Sequence, residues 1–355
     1  MSVNSGYPNG GELKYLITFG EPDDKTAEAI GYWPSGINSE RVGKGNPQMA
    51  EASESGWTGD VEVRRAETRN FIKALVQTGV PTIELPYPDH EVMIEGGLTY
   101  DLEFLRDQVV SRPDGSVLLF PMGTPHRMPE KPFVESVYGA MGFKIEHLNI
   151  PHEGGNIVRL FMPDGAMWAF SGTSSRTSYR ALQAGFKFMA PDTGRENQTS
   201  IGVRKGRALH VDCIFKPLVA TVDDKELVTF LAYLEGFSRN SRQRMERAAH
   251  YLKAEIIEVS ADDAARLVTN GVLHDGHLIN PAILSDQKKQ ALLESRLRGF
   301  THVPSSQTAT VGGAFHCLTQ ELWYPHPIDQ KDMNERLMST GYFTGRTPVK
   351  IHNNY

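Results

Sequence analysis

The stretch GGAFHCLTQEL, residues 312–322, carries Cys317, one of only two cysteines in a chain of 355 residues. A cysteine led in by a glycine pair and a histidine can be a buried apolar group, half of a disulfide, a metal ligand or a nucleophile. Three further stretches set polar groups at the edges of apolar runs. EFLRDQVVS places Asp107 just before one, PHEGGNIVRL places Glu153 ahead of two glycines and a strand-like segment, and ALHVDCIF places His210 and Asp212 two residues apart. On a strand, residues i and i+2 share a face, so the imidazole and the carboxylate are expected to project into one space. Each feature alone has a bland reading: a surface ion pair, a Glu-Gly-Gly turn, a structural His–Asp pair, an inert buried thiol. Together they supply a nucleophile, a base, a carboxylate to orient that base and two more carboxylates. That is an inventory for thiol chemistry on a cationic substrate.

Composition narrows the alternatives. Hydrophobic residues make up 39% and charged residues 23%, the balance of an ordinary globular protein with enough apolar material for a core. A net charge of −6 gives no electrostatic reason to expect nucleic acid or an anionic membrane as partner. Residues 1–20 show no basic segment followed by a long apolar stretch, and no window approaches a membrane span. Cytoplasmic, reduced thiols are therefore expected, and Cys213 and Cys317 are too few for a disulfide framework. A metal site built from His210 and Asp212 with Glu153 or Cys317 competes, but there is no HExxH, no CxxC and no histidine cluster at ligand spacing. No Walker sequence or strand–GxGxxG–helix context is present for phosphate binding.

The elements that must position these groups read as a repeat. PDGSVLLFP from Pro113, PDGAMWAFSG from Pro163 and HDGHLINPA from His274 each put an Asp-Gly turn before a short β-prone run. Helical stretches follow, from Phe133, Ser178 and Asp286, and each is expected to end at a Gly-Phe pair: Gly142-Phe143, Gly185-Phe186 and Gly299-Phe300. The unit is strand, turn, strand, helix, strand. A fourth copy is expected from the strand KYLITFGEP, the helix VEVRRAETRNFIKALVQTG and the strand PTIELP. A fifth is expected from ALHVDCIFKPL, a helix DKELVTFLAYLEGF and the strand AEIIEVS. Residues 22–60 read as a long loop, 238–253 as a basic helical extension, and about 325–355 as an irregular tail on what is expected to be a single catalytic domain, 1–355.

Taken in chain order, FLRD, HEGGN, SGTSSRTS, HVD and GGAFHC resemble the guanidino-group-modifying enzymes of the pentein superfamily. Its members include arginine deiminases, dimethylarginine dimethylaminohydrolases, agmatine deiminases, arginine dihydrolases and amidinotransferases. The resemblance covers residues from about 100 to 322 and implies an α/β fold: a five-bladed, pseudo-symmetric propeller of ββαβ units around a central channel. It implies Cys317 as nucleophile, His210 as general acid and base, and Glu153 as the residue that orients the histidine. Asp107 and Asp212 would clamp the substrate guanidinium, with no metal or organic cofactor. The partner implied is a small guanidino substrate, and a homo-oligomer is compatible with the long segment at 219–260 and the tail.

Smaller cues bear on the reaction. SGTSSRTS resembles the segment whose arginine binds the substrate carboxylate in deiminases and dimethylaminohydrolases, which implies that role for Arg176. Asn156 stands where arginine deiminases carry aspartate and is assigned to the substrate's amino end. Glu153-Gly154-Gly155 resembles hydrolases, whereas the ending of HVDCIFKPL has an amidinotransferase flavour. The leading expectation is a cysteine-dependent hydrolase of arginine or an arginine derivative. Transfer of the amidino group to an amine is the alternative, and a non-catalytic binding protein of this fold is the second.

Overall fold

The computed structural model describes residues 13–29, 52, 54–55, 57, 59–189, 197–204, 207–310, 312–324, 328–346 and 348–352. Most of the loop expected at 22–60 lies outside these residues, although Asp24–Ala29 is a short helix. The Asp-Gly dipeptides organise the rest. At 114–115, 164–165 and 275–276 each glycine takes a positive φ of 73–88°, and the turn joins two antiparallel strands. Asp114 and Asp164 Oδ1 accept the backbone N–H two residues on at 2.9 Å, which is why aspartate suits the position.

Among the described residues the strands form five small mixed sheets. In the first turn-containing unit, Val109–Ser111 pairs antiparallel with Ser116–Leu119, and helix Glu130–Ala140 returns the chain to the parallel strand Lys144–His147. The same plan recurs in Ile157–Phe161, Met167–Thr173 and Gln198–Gly202 with helix Tyr179–Met189. It recurs in Phe215–Val222, Lys225–Ala232 and Glu255–Glu258 with helix Arg239–Tyr251, and in Val272–His274, His277–Asn280 and Gly299–His302 with helix Gln287–Ser295. The remaining sheet joins the chain's two ends. Leu13–Phe19 is parallel to Thr82–Leu85 across helix Val61–Gln77, antiparallel to Gln320–Tyr324, and Lys350–His352 adds an edge. The strand that follows Cys317 is thereby locked into the N-terminal sheet.

Several expected elements differ in detail. The segment from Asp224 is not a helix but the second arm of a hairpin, Lys225–Ala232, with Asp223 and Asp224 at positive φ in its turn. Its Val, Thr, Phe and Leu fit a pleated, half-buried surface, and that preference outweighs the helical reading. The helix of that unit is instead Arg239–Tyr251, capped by Ser238, so the segment expected as an extension at 238–253 is the crossover of its own unit. Helix Tyr179–Met189 runs through Gly185-Phe186, because Phe186, Phe188 and Met189 continue its buried face. Gly299 opens a strand rather than ending a helix; of the three Gly-Phe glycines only Gly142, at φ 89°, takes the expected left-handed position, as Gly79 does after helix Val61–Gln77. The tail is not irregular. It holds helix Gln330–Met338, capped by Asp329 and seated on Met333 and Leu337, and the edge strand Lys350–His352.

Cys213 and Cys317 both belong to one buried apolar cluster, in which Phe71 stacks on Phe315 at 4.1 Å just ahead of Cys317. Among the described residues, no helix is long and apolar enough to cross a membrane.

Candidate active site

The site is assembled from the segments that lead into the first strands of three units and into Gln320–Tyr324 of the N-terminal sheet. Leu105–Gln108 forms one buried helical turn before strand Val109–Ser111. Arg106 ties it to the cysteine segment: its N–H donates to the Cys317 carbonyl at 3.2 Å, its Nε to the His316 carbonyl at 3.2 Å, and its Nη1 pairs with Glu321. Asp107 is therefore held at a fixed offset from Cys317. The second segment, Glu153-Gly154-Gly155, is extended at Glu153 and enters a 3-10 turn over Gly154–Asn156. A methyl on Gly154 would overlap the Arg106 carbonyl. One on Gly155 would lie 2.6 Å from His210 Nδ1 and 2.9 Å from Asp107 Oδ1. The two glycines are what let the Asp107, Glu153 and His210 segments close together. Gly154→Ala is expected to lose about 1–3 kcal/mol of stability in urea unfolding, since backbone must move. Gly155→Ala is expected to remain folded and to lose about a hundredfold in kcat, because it displaces the imidazole.

His210 precedes a 3-10 turn, Val211–Cys213, rather than lying in a strand. His210 and Asp212 therefore do not share a strand face. The imidazole turns toward Glu153, with Nε2 2.7 Å from Oε2, and toward Asp107, with Nδ1 3.5 Å from Oδ1. Asp212 turns the other way. Its Oδ2 accepts from His316 Nδ1 at 2.8 Å and from Cys317 Sγ at 3.5 Å, while its Oδ1 lies 3.5 Å from Cys213 Sγ. Glu153 also accepts from Arg176 Nη1, at 2.9 and 3.2 Å, and from the Gly123 N–H at 3.0 Å.

The charges follow from these contacts. Burial raises Glu153, but the hydrogen bond from His210 and the nearby His210, Arg176 and Arg127 cations hold it well below the usual carboxylate range. Burial disfavours the charged form of His210, yet Asp107, Glu153 and Asp212 outweigh it and raise the imidazole above its usual value. Burial pushes Asp107 up against the pull of His210 and Arg127, with Glu153 and Asp212 adding to the rise. A hydrogen bond with Cys213 favours the Cys317 thiolate, but burial and the Asp212 and Asp107 carboxylates prevail and raise the thiol. Burial, with Arg106 and Lys216, lowers His316 to about 3, so the neutral ring donates to Asp212. These shifts favour a charged His210 and a protonated Cys317 thiol, and an added cation would offset the Asp212 and Asp107 charges that raise the thiol.

A cleft enclosing about 350 Å³ of empty space, part of it open to solvent, is lined by residues that include Phe104, Asp107, Arg127, Arg176, His210, Gly312 and Cys317. Of the residues singled out from sequence, Asp107, Arg176, His210 and Cys317 reach this wall. Glu153 and Asp212 stand behind it, fully buried. Asn156 is also fully buried, its Nδ2 donating to Ser174 Oγ at 3.1 Å and Thr177 Oγ1 at 2.9 Å, so it braces the segment that carries Arg176. Gly313 does not face the cleft, since its missing side chain makes room for the Phe104 ring.

Sequence reasoning missed a second charged layer. Arg127 Nη1 meets Asp107 at 2.7 Å, and its other donors reach Glu130 and the Asp101 carbonyl. Asp101 in turn accepts from His126 at 2.8 Å. Nothing in TPHRMPEKPF marks that arginine as part of the site, because Glu130 reads as an ordinary i,i+3 pair and the contact that places it there is with Asp107, 20 residues away. Among the described residues, two sets of candidate metal ligands converge within 4.8 Å: His210, Asp212 and Cys213, and Asp107, Glu153 and His210. Both include His210.

No family model matches the sequence, and no curated protein matches it. The structure, in contrast, is similar to solved enzymes. The N-terminal domain of ArgZ, an arginine dihydrolase of the cyanobacterial ornithine–ammonia cycle solved with its substrate, superposes with a TM-score of 0.65 at 19% identity. The match covers 87% of this chain and 97% of that one. AgrE, solved as a ternary complex with ornithine and NAD+, gives 0.66 at 18% identity, over 89% of this chain and 40% of the AgrE chain. A dimethylarginine dimethylaminohydrolase gives 0.58 at 14% identity, over 87% and 100%. These neighbours are pentein-superfamily, guanidino-modifying enzymes. The chain has their fold.

Proposed function

We propose that the protein is a pentein-superfamily cysteine hydrolase acting on the guanidino group of arginine or an arginine derivative. In this reading the five units close into a five-bladed ring around the site. The observation that carries the reading is the convergence of Cys317, His210 and Asp107 on one cleft wall, with His210 locked to buried Glu153 at 2.7 Å. The Asp212 and Asp107 charges that raise the Cys317 thiol favour a cationic substrate over a neutral one.

Asp107, on the cleft wall, attracts the planar guanidinium, while Asp212, buried behind the wall 3.5 Å from the Cys317 sulfur, adds its charge from there. Binding of that cation offsets the carboxylates that raise the thiol, and the Cys317 proton leaves to solvent. The thiolate attacks the guanidino carbon and a C–S bond forms. The C–N bond then breaks as the His210 imidazolium donates its proton to the departing nitrogen, leaving an amidino-thioether on Cys317. His210, now neutral, takes a proton from water; the resulting hydroxide adds to the same carbon. The C–S bond breaks and the added hydroxyl's proton passes to solvent, which releases the carbonyl product and the Cys317 thiolate. Glu153 keeps His210 oriented through both steps and stabilises its charged form before the first and after the second.

Arg176 is assigned to the substrate carboxylate and Asn156 to the order of the segment that presents it. Because Arg176 also bonds Glu153, its two roles separate by substrate: Arg176→Ala should lower kcat/KM for arginine at least tenfold more than for agmatine, about the value of one charged hydrogen bond. Equal losses would leave Arg176 only as a brace for Glu153. The reading itself is tested by incubating the protein with arginine, methylated arginines and agmatine, with and without glycine as acceptor, and identifying products by mass. Release of ammonia or methylamine without an acceptor supports hydrolysis. Turnover that requires the acceptor would make the enzyme an amidinotransferase.

A further inference from the structure

We propose that Asn270 sets the reactivity of Cys317, as a positioning residue that holds the cysteine turn and donates a hydrogen bond to the sulfur. The proposal rests on the reading of Cys317 as the nucleophile and adds to it a residue that no motif marks.

Asn270 sits in ARLVTNGVLHDG, where Asn-Gly reads simply as a turn before strand Val272–His274. Its side chain is fully buried and bonded at both ends. Oδ1 accepts the N–H groups of Ala314 and Cys317, each at 3.1 Å. Nδ2 donates to Cys317 Sγ at 3.1 Å and to the Asp212 carbonyl at 3.3 Å. The Asn270 carbonyl also accepts the His316 N–H at 2.9 Å. The amide orientation is fixed by chemistry, because a flipped amide would set its NH₂ against two backbone donors. One side chain therefore shapes the turn from Ala314 to Cys317 and points a donor at the sulfur. It also touches the backbone of Asp212, whose carboxylate flanks the same sulfur.

The position is itself held firmly. A side chain at Gly271 would overlap Asn280 Oδ1 and lie 2.8 Å from the Ile279 carbonyl, so the Asn270 backbone is pressed against strand His277–Asn280. The donor matters because of what surrounds the sulfur. Burial and two carboxylates oppose the thiolate, and an N–H donor is the kind of neighbour that favours it. Aspartate or glutamine would not substitute. The first keeps the acceptor for the backbone but loses the donor; the second is one methylene too long for a site bonded on all sides.

The test measures alkylation of Cys317 by iodoacetamide across pH, with the modified peptide identified by mass. Wild type is compared with Asn270→Asp, which keeps the backbone anchor, and Asn270→Ala, which removes the donor without adding charge. Circular dichroism and thermal unfolding check that each is folded. The expected result is an upward shift of the alkylation midpoint by about one pH unit or more in both variants, with reaction below the midpoint slowed about tenfold. A midpoint raised in Asn270→Asp but unchanged in Asn270→Ala would assign the effect to the added charge and overturn the proposal, as would an unchanged midpoint in both. If Cys317→Ser retains turnover, it is the nucleophile reading that falls. If Cys317 is essential and reactive while neither variant moves its midpoint, the Asn270 proposal alone falls.

Discussion

Cys317→Ser is expected to leave the protein folded and to lower kcat by about a thousandfold or more. The sulfur is buried in the apolar cluster beside Phe315 and bonded by Asn270 and Asp212, and a hydroxyl fits the same space and the same partners. Unfolding by urea should therefore change little. Chemistry changes a great deal, because a serine hydroxyl has no comparably accessible anion in a site already rich in carboxylate. Raising the pH should not rescue the variant. Steady-state assays with the substrate panel, together with a urea midpoint, check both halves of this expectation.

Glu153→Gln is the second large effect. The amide keeps the shape but removes the charge that His210 and Arg176 meet at 2.7 and 2.9 Å. Breaking a buried pair from one side costs about 3–5 kcal/mol, so a lower urea midpoint is expected. The catalytic consequence follows from the sign of the His210 shift. Glu153 is one of three carboxylates that raise the imidazole, so its neutralisation lowers the pKa of His210 toward the ordinary value. His210 must be protonated to expel the leaving nitrogen, so activity is lost as pH rises through its pKa. The alkaline limb of the kcat profile should accordingly move to lower pH in Glu153→Gln. At a pH above the variant's limb, kcat should fall about a hundred- to ten-thousandfold. A kcat–pH series on both proteins reads the shift, and an alkaline limb that stays in place would show that Glu153 does not tune His210.

Much of this arrangement was legible in the chain, and the rest hides for identifiable reasons. The Asp-Gly turns announced the hairpins because aspartate bonds the backbone two residues on and glycine supplies the positive φ; both causes are local. The helix misread at Asp224 also has a local cause, since its run of Leu, Val, Phe and Leu suits a buried helix or a strand equally. Only pairing with Phe215–Val222 decides between them. Cys317, His210, Glu153 and Asp107 stood out through residue type and order. Their partners did not. Arg127 earns its place through Asp107 and Glu130, and Asn270 through a segment 44–47 residues away. Asp212 was legible as a site residue, but its orientation was not. A 3-10 turn rather than a strand aims it at His316 and Cys317, away from the carboxylates that hold His210.

The central claim is that Cys317 attacks a guanidino carbon and carries the amidino group through turnover. The most direct measurement is rapid acid quench of the wild-type protein during turnover of whichever guanidino substrate it accepts, followed by peptide mass mapping. The account predicts a transient mass gain of one amidino-bearing fragment on the peptide that contains Cys317, absent from the peptide that contains Cys213 and absent in Cys317→Ser. Sustained turnover with Cys317 unmodified at every quench time, or an adduct on another residue, would contradict it.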